Sequence, residues 1–148
     1  EQRMLTMLTH RGSDTFDSRT LTGDVVSISD VEFLRAAARR VHVSDAIMKY
    51  AVDITATSRG AGTKPVQGLS TLVRLGASPR ASIALTRIGQ ANALMQGRDY
   101  VIPEDVKELF IDIVSHRIFI SPQAKYQGKS EKLILKEIMD STAVPLEV

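Results

Sequence analysis

Ser78, Pro79 and Arg80 are the residues whose types and spacing best suit chemistry, and they open a long apolar segment that ends near Gly97. Ser78 is a favourable N-cap because its hydroxyl can accept a hydrogen bond from an amide of the first helical turn. Pro79 follows where its fixed φ suits a helix and its missing N–H costs nothing. Arg80 then places a cation at the positive end of a helix dipole, where a bound anion, usually a phosphate, would compensate it.

Arg80 also lies on the side of this segment that carries an apolar stripe. The stripe consists of Ala84, Ile88, Ala91 and Met95, whereas Ser82, Thr86, Gln90 and Gln96 are predicted to face outward. Arg80 could therefore snorkel along the stripe or pair with a carboxylate instead of binding an anion. Further apolar residues (Ile83, Leu85 and Leu94) widen the surface, so one part should be core and the remainder a surface for another domain or subunit.

Gly128-Lys129-Ser130 has the form of the end of a phosphate-binding P-loop, since it follows a predicted strand and precedes a predicted helix. A P-loop also requires a glycine five positions before Gly128, and Gln123 occupies that position. We therefore interpret the three residues as a glycine turn followed by a serine N-cap. No apolar strand ends in an acidic pair that could hold magnesium for ATP. The chain by itself is not expected to hydrolyse ATP.

The composition is that of a globular domain, with 148 residues, 43% hydrophobic and 24% charged. The absence of cysteine excludes disulfides and thiolate metal sites and fits a cytoplasmic protein. No apolar run approaches the roughly 20 residues that cross a bilayer. The three histidines (His10, His42 and His116) lack the paired spacing of metal ligands. Because the first residue is Glu1, we expect the chain to be a piece of a longer protein.

A basic surface is the main alternative source of function. Its candidate members are Arg35, Arg39, Arg40, Arg59, Lys64, Arg74, Arg87 and Arg98. A net charge of +2 and only three tyrosines and four phenylalanines argue against nucleic-acid binding. We interpret these residues as solvated helix faces, and expect Arg87 to form a salt bridge. The alternative, a helical DNA- or protein-binding adaptor, predicts DNA affinity that falls steeply with salt.

The apolar periodicity predicts an all-α bundle of about five main helices and one very short pair of strands. A helix tail ends near Gly12, and a loop follows to residue 27, with a short extended piece at Val25 and Val26. Later helices begin at a capping box of Ser29 with Glu32, at Ser44, at Pro79, at Pro103 and at Ser130. Residues 69–75 are predicted to form a helical turn, 117–120 a strand and 121–128 a loop.

Inner faces are predicted from the same periodicity. The first complete helix should bury Val31, Leu34, Ala38 and Val41, and the second should bury Ile47, Tyr50, Ala51 and Ile54. The helix that begins at Pro103 should bury Val106, Leu109, Phe110 and Ile113. The last helix should bury Leu133, Ile134, Ile138 and Met139. Residues 60–68 contain three glycines and should interrupt the helices.

Two motifs at this spacing resemble the lid domain of the MoxR family of AAA+ ATPases. They are Gly76-Ala77-Ser78-Pro79-Arg80-Ala81 and Gly97-Arg98-Asp99-Tyr100-Val101 followed by Pro103 and Asp105-Val106. The resemblance runs from the Glu-x-x-Met-Leu pattern at Glu1 to Val144 and Pro145, so that residues 1–148 would form one lid domain detached from its ATPase core. It loosens between Arg59 and Arg74.

The resemblance implies that Arg80 is the sensor 2 residue, which reaches the γ-phosphate of ATP. Ala77, Ser78 and Pro79 would shape the start of the helix and contact the nucleotide. The intact parent would be an ATP hydrolase that uses ATP and Mg²⁺, whereas the fragment would hold neither tightly. Its partners would be its own AAA+ core and neighbouring subunits of a ring, commonly a hexamer. Such chaperone-like proteins remodel partners that often carry von Willebrand A domains.

Overall fold

The computed structural model describes residues 26–64 and 66–145. The helices in this part are α1 (Ile28–Arg40), α2 (Asp45–Thr57), α3 (Leu69–Leu72), α4 (Pro79–Met95), α5 (Pro103–Val114), α6 (Pro122–Tyr126) and α7 (Glu131–Ser141). Two strands, β1 (Val73–Leu75) and β2 (Phe119–Ile120), pair with each other. Five of the helices have 11 residues or more, which confirms the predicted all-α bundle with one short pair of strands.

The chain divides into two compact units, Glu1–Phe33 and Leu34–Val148. In the described part of the first unit, the Ser27 amide donates to Asp30 Oδ2 over 2.9 Å, and the Asp30 amide donates to Ser27 Oγ over 3.1 Å. This reciprocal pair is a capping box, so the box predicted at Ser29 and Glu32 is wrong by two residues. The predictions for residues 1–25 lie outside the described residues.

The inner face predicted for α1 is also wrong. No residue of α1 is buried, and both Val31 and Leu34 are exposed. Val41, which follows the helix, is buried as predicted. Apolar periodicity identified a helix at the right place, but it does not determine whether another element covers the apolar side.

The core of the second unit forms where α4 packs against both α2 and α5, while α7 packs against α5 and α2. Its largest fully buried side chains include Ile47, Ile54, Leu85, Phe110, Ile134 and Leu135. Gly89 allows α4 to approach the segment before α5, because a Cβ at this position would lie 3.2 Å from Val101 Cγ1. The predicted inner residues of α2 are all buried, as are Val106 and Phe110 of α5.

Two side chains face the other way from their predicted side. Leu133 in α7 is 50% exposed, and Leu135 is buried in its place. Ser82 in α4 is buried rather than outward-facing. Gln90 is half-buried, and its side-chain amide donates to the Val41 carbonyl over 2.9 Å. In both helices the packing partner, rather than the local pattern, selects the buried side.

The small sheet joins two segments whose secondary structure the sequence predicted only in part. β1 and β2 are antiparallel, with Val73 opposite Ile120. The predicted helical turn of residues 69–75 is α3 followed by β1, so its second half is a strand. The predicted loop of residues 121–128 is wrong, because it contains α6, where Ser121 Oγ accepts from the Ala124 amide over 3.1 Å. Ser121 also donates from its amide to the Leu72 carbonyl over 2.8 Å.

Candidate functional site

Arg80 lies in the first turn of α4, in an exposed stretch that also includes Ser78 and Pro79. Ser78 is the N-cap residue with an extended backbone (φ −70°, ψ 164°), and Pro79 is the first helical residue. The predicted start of the helix is therefore confirmed. The four residues that the sequence singled out are contiguous, but they do not share one environment, because Ala77 is completely buried.

The Ser78 hydroxyl makes no capping hydrogen bond, which corrects the expectation that it accepts from a first-turn amide. The first turn is closed instead by the Ser78 carbonyl, which accepts from the Ala81 amide over 2.8 Å. Pro79 has no N–H to satisfy. The exposed Ser78 hydroxyl is therefore not committed to capping α4 and can donate to, or accept from, a group beside the helix.

Ala77 is held by two side chains from the end of α2, and we refer to these two hydrogen bonds as the Ala77 contact. The Ala77 amide donates to Ser58 Oγ over 3.0 Å, and the Arg59 guanidinium donates to the Ala77 carbonyl. Gly76 permits this approach, because a Cβ there would lie 2.3 Å from the Ser58 carbonyl oxygen. The segment before α4 thus lies directly against the end of α2.

The sequence did not identify Ser58 and Arg59 as part of the site. They lie 19 and 18 residues from Ala77 along the chain, and no local pattern links them to it. Arg59 was assigned to a solvated basic face. The one sequence signal was Gly76, since a glycine before a helix can mark a close approach of two backbone segments, but it does not name the partner.

An open groove with a volume of about 530 Å³ runs beside Arg80. It is lined by Arg80, Ile83, Ala84, Arg87, Ile88 and Ile113. The structure therefore divides the wide apolar surface of α4. Leu85 belongs to the core, whereas the stripe that begins at Ala84 lies partly exposed and ends in Met95, which is 81% exposed.

The groove carries two arginines and no described acid to neutralise them. Within residues 26–64 and 66–145, no carboxylate oxygen lies within 4 Å of the guanidinium of Arg80 or Arg87. The salt bridge expected for Arg87 is thus not formed in this part of the chain, and the carboxylate alternative for Arg80 finds no partner there. Of the two cations, only Arg80 also lies in the first turn of α4, where the helix N-terminus favours a bound anion.

Arg98 forms the ion pair instead, which corrects its assignment to a basic surface. Its two terminal nitrogens donate to the two carboxylate oxygens of Asp105 over 2.8 and 2.7 Å. Asp105 also accepts from the Ile102 amide and from the Asn92 side chain. The second motif therefore has a structural role, since it joins the end of α4 to the start of α5 through a bidentate pair.

Burial alone would raise the pKa of Asp105, but the hydrogen bonds from Arg98, Ile102 and Asn92 outweigh burial and lower the pKa below its usual value. The hydrogen bond with Asp105 likewise raises the pKa of Arg98. Both groups are therefore charged near neutral pH, and the pair lies away from the exposed start of α4. We assign it to stability rather than to ligand binding.

The segment that mimics a P-loop is a turn and a cap, as the sequence predicted. Gly128 has a positive φ of 70°, and Ser130 is the N-cap of α7, whose Oγ accepts from the Leu133 amide over 3.3 Å. Lys129, the residue that would bind a phosphate, donates to Glu137 over 2.7 Å. Its cation is already paired.

Within residues 26–64 and 66–145, no group of three or more histidine, aspartate or glutamate side chains is placed to hold a metal ion. None of the helices that the structure describes is both long and apolar enough to cross a membrane.

Comparison with known proteins places this geometry in a family. Residues 69–138, which contain α4, α5 and the small sheet, match the AAA lid domain. A crystal structure of an ATPase candidate from Cytophaga hutchinsonii superposes with a TM-score of 0.77 and 28% identity, covering 98% of this chain and 43% of that one. The fold and the match define the class: this is a lid domain of the AAA type.

The relatives specify the branch of that class. The chain is 30% identical over 121 residues to the chaperone MoxR1 of Mycobacterium tuberculosis, covering 82% of this chain and 32% of MoxR1. It is 37% identical over 123 residues to the uncharacterized protein YeaC of Bacillus subtilis, covering 83% of this chain and 36% of YeaC. The chain belongs to the MoxR family of AAA+ ATPases and spans about a third of the length of these curated relatives.

Proposed function

We propose that this chain is the C-terminal lid of a longer MoxR-like ATPase and that Arg80 is its sensor 2 residue. The observation that carries the proposal is the position of Arg80. It is exposed in the first turn of α4, in a lid-domain fold, with no carboxylate partner in the described part of the chain. A guanidinium placed in this way is available to bind a phosphate oxygen.

In this proposal ATP binds between the missing core and the lid, and Arg80 donates hydrogen bonds to the γ-phosphate. The chain supplies no P-loop, and its described residues contain no acidic cluster for Mg²⁺, so we assign both functions to the core. Hydrolysis removes the group that Arg80 binds. The lid then loses a contact that exists only with ATP, which biases a rotation of lid against core.

The neighbours of Arg80 have different roles in this proposal. Ser78 has an exposed hydroxyl that is not used in capping and can contact the nucleotide directly. Pro79 fixes the first turn of α4 and lies on the same exposed surface. Ala77 is buried, so its side chain does not contact the nucleotide in this proposal, and its role is to shape the start of the helix.

The remaining parts of the proposal concern the intact protein. We infer that it assembles as a ring, commonly a hexamer, in the cytoplasm and couples ATP hydrolysis to ring motion. Its chaperone-like activity would remodel partner proteins, including proteins with von Willebrand A domains. The name of MoxR1, a chaperone, supports this inference. The apolar wall of the groove beside Arg80 would then lie against the core.

ATP turnover by the intact ATPase tests the assignment of Arg80. We expect Arg80→Ala to lower kcat by about 10²-fold, because it removes a charged donor that binds most strongly in the transition state. The matched control is Arg87→Ala, which removes the same charge from the same groove two turns further along α4. We expect it to retain nearly normal turnover. Circular dichroism and a melting curve should show both variants folded.

Wild-type turnover and ATP affinity in a folded Arg80→Ala variant would contradict the sensor assignment. Equal losses in Arg80→Ala and Arg87→Ala would show that the groove acts through its total charge rather than through a residue at the helix start.

A further inference from the structure

The Ala77 contact lies directly before the helical turn that carries Arg80. Ala77 lies three residues before Arg80, and its amide and its carbonyl are both bonded to the end of α2. Since buried backbone groups need partners, the contact satisfies Ala77. It also determines where the chain turns into α4, because Ser78 adopts the extended N-cap conformation immediately afterwards.

We propose that Ser58 and Arg59 are positioning residues for Arg80, an inference that rests on the proposed function. Ser58 is almost completely buried, and its hydroxyl donates its proton to the Thr55 carbonyl over 2.7 Å. The hydroxyl oxygen is thereby directed to accept from the Ala77 amide. The Arg59 guanidinium donates to the Ala77 carbonyl. Ser58 and Arg59 thus hold both backbone polar groups of Ala77 against the end of α2.

The contact affects catalysis if the position of the sensor guanidinium matters to within about 1 Å, as is usual for groups that stabilise a transition state. The core side chains that bind α4 to α2 and α5, such as Leu85 and Ile54, do not take part in it. Loss of the contact should therefore leave the bundle folded while the first turn of α4, and Arg80 with it, becomes less well positioned. This separates positioning from simple stability.

The test is ATP turnover by the intact ATPase. Arg59→Ala is the main variant, because Arg59 is exposed and its removal should not prevent folding. We expect kcat to fall about tenfold, with partial recovery in Arg59→Lys, which retains one charged donor. The matched control is Arg74→Ala, which removes an exposed arginine whose side chain has no hydrogen bond within the described residues. It should leave kcat unchanged.

Ser58→Ala provides an independent variant. Its control is Ser141→Ala, because Ser141 Oγ donates to the carbonyl three residues earlier, Ile138, over 2.8 Å, as Ser58 does to Thr55, but at the end of α7. We expect kcat to fall in Ser58→Ala and to remain normal in Ser141→Ala. Should Ser58→Ala fail to fold, the Arg59 variants decide the question alone.

A double-mutant cycle distinguishes positioning from a separate effect. If Ser58 and Arg59 act through Arg80, then Arg59→Ala should cause no further loss of kcat in a protein that already carries Arg80→Ala. An equal loss in both backgrounds would overturn the inference. So would normal kcat in folded Arg59→Ala and Ser58→Ala beside an impaired Arg80→Ala, and this result would leave the proposed function standing. A fully active Arg80→Ala would instead overturn the proposed function and the inference together.

Discussion

Asp105→Asn should destabilise the chain far more than the loss of an ordinary surface ion pair. Asp105 is 2% exposed in its side chain and accepts four hydrogen bonds, two of them from Arg98, which is 23% exposed. Replacing one carboxylate oxygen by an NH₂ group removes two of the four bonds, whichever way the amide is turned. One lost bond is charge-assisted and the other is to a neutral donor, so the expected cost is about 3 kcal/mol.

The assay is urea denaturation of the 148-residue chain, with a thermal melt as a second measurement. A cost of about 3 kcal/mol corresponds to a fall in Tm of roughly 6–12 °C for a chain of this size. Glu137→Gln is the matched control, because it removes the carboxylate that pairs with Lys129. The side chain of Glu137 is 46% exposed. An exposed pair of this kind contributes less than about 1 kcal/mol.

The pH dependence of the unfolding free energy is an independent test of the same prediction. Because its hydrogen bonds lower the pKa of Asp105 in the folded state, the folded protein releases this proton more readily than the unfolded chain. The resulting stabilisation is fully present above the unfolded pKa of about 3.9 and is lost as the pH falls through the folded pKa. The gap in unfolding free energy between wild type and Asp105→Asn should therefore narrow below about pH 4.

Two results would refute this reasoning. If Asp105→Asn cost no more than Glu137→Gln at neutral pH, the bidentate pair would contribute no more than a surface pair. If the gap between wild type and Asp105→Asn stayed constant down to the acid limit of folding, the pKa of Asp105 would not be lowered by its partners.

Two further changes test the packing of the second unit by the same denaturation measurement. Leu85→Ala should lower the free energy of unfolding by about 2–5 kcal/mol, because it leaves a cavity at a fully buried position. Ile83→Ala, at a position that is 54% exposed, should lower it by less than about 1 kcal/mol. Equal losses would show that the assigned core side of α4 is wrong. Tyr50→Phe should change stability by less than about 1 kcal/mol near neutral pH, since the buried Tyr50 hydroxyl has no hydrogen-bond partner among the described residues. Burial, aided by the negative charge of Glu104, raises the pKa of Tyr50 to about 12. The wild type should therefore lose stability relative to Tyr50→Phe as the pH rises above about 10. Parallel profiles of stability against pH for the two proteins would contradict the raised pKa.

Local chemistry made much of the fold predictable from the sequence. The starts of α2, α4, α5 and α7 follow from Ser44, Pro79, Pro103 and Ser130, because a cap or a first-turn proline acts on amides only a few residues away. The same reasoning correctly identified Gly128 and Ser130 as a turn and a cap. The neighbours of Arg80 in the sequence placed it at the start of a helix, whereas its exposure is known only from the structure. The sequence by itself thus determined where four of the long helices begin and which residue is the candidate.

Tertiary structure decided which sides of those helices are buried and what supports the candidate residue. Apolar residues surround much of α4, so only its packing against α2 and α5 shows that Leu85 is core while Ile83 lines a groove. The Ala77 contact joins residues 18 and 19 positions apart, a separation at which no helical or strand period applies. The physical reason is the same in each case: capping is local, whereas burial and long-range hydrogen bonds depend on which elements meet in space.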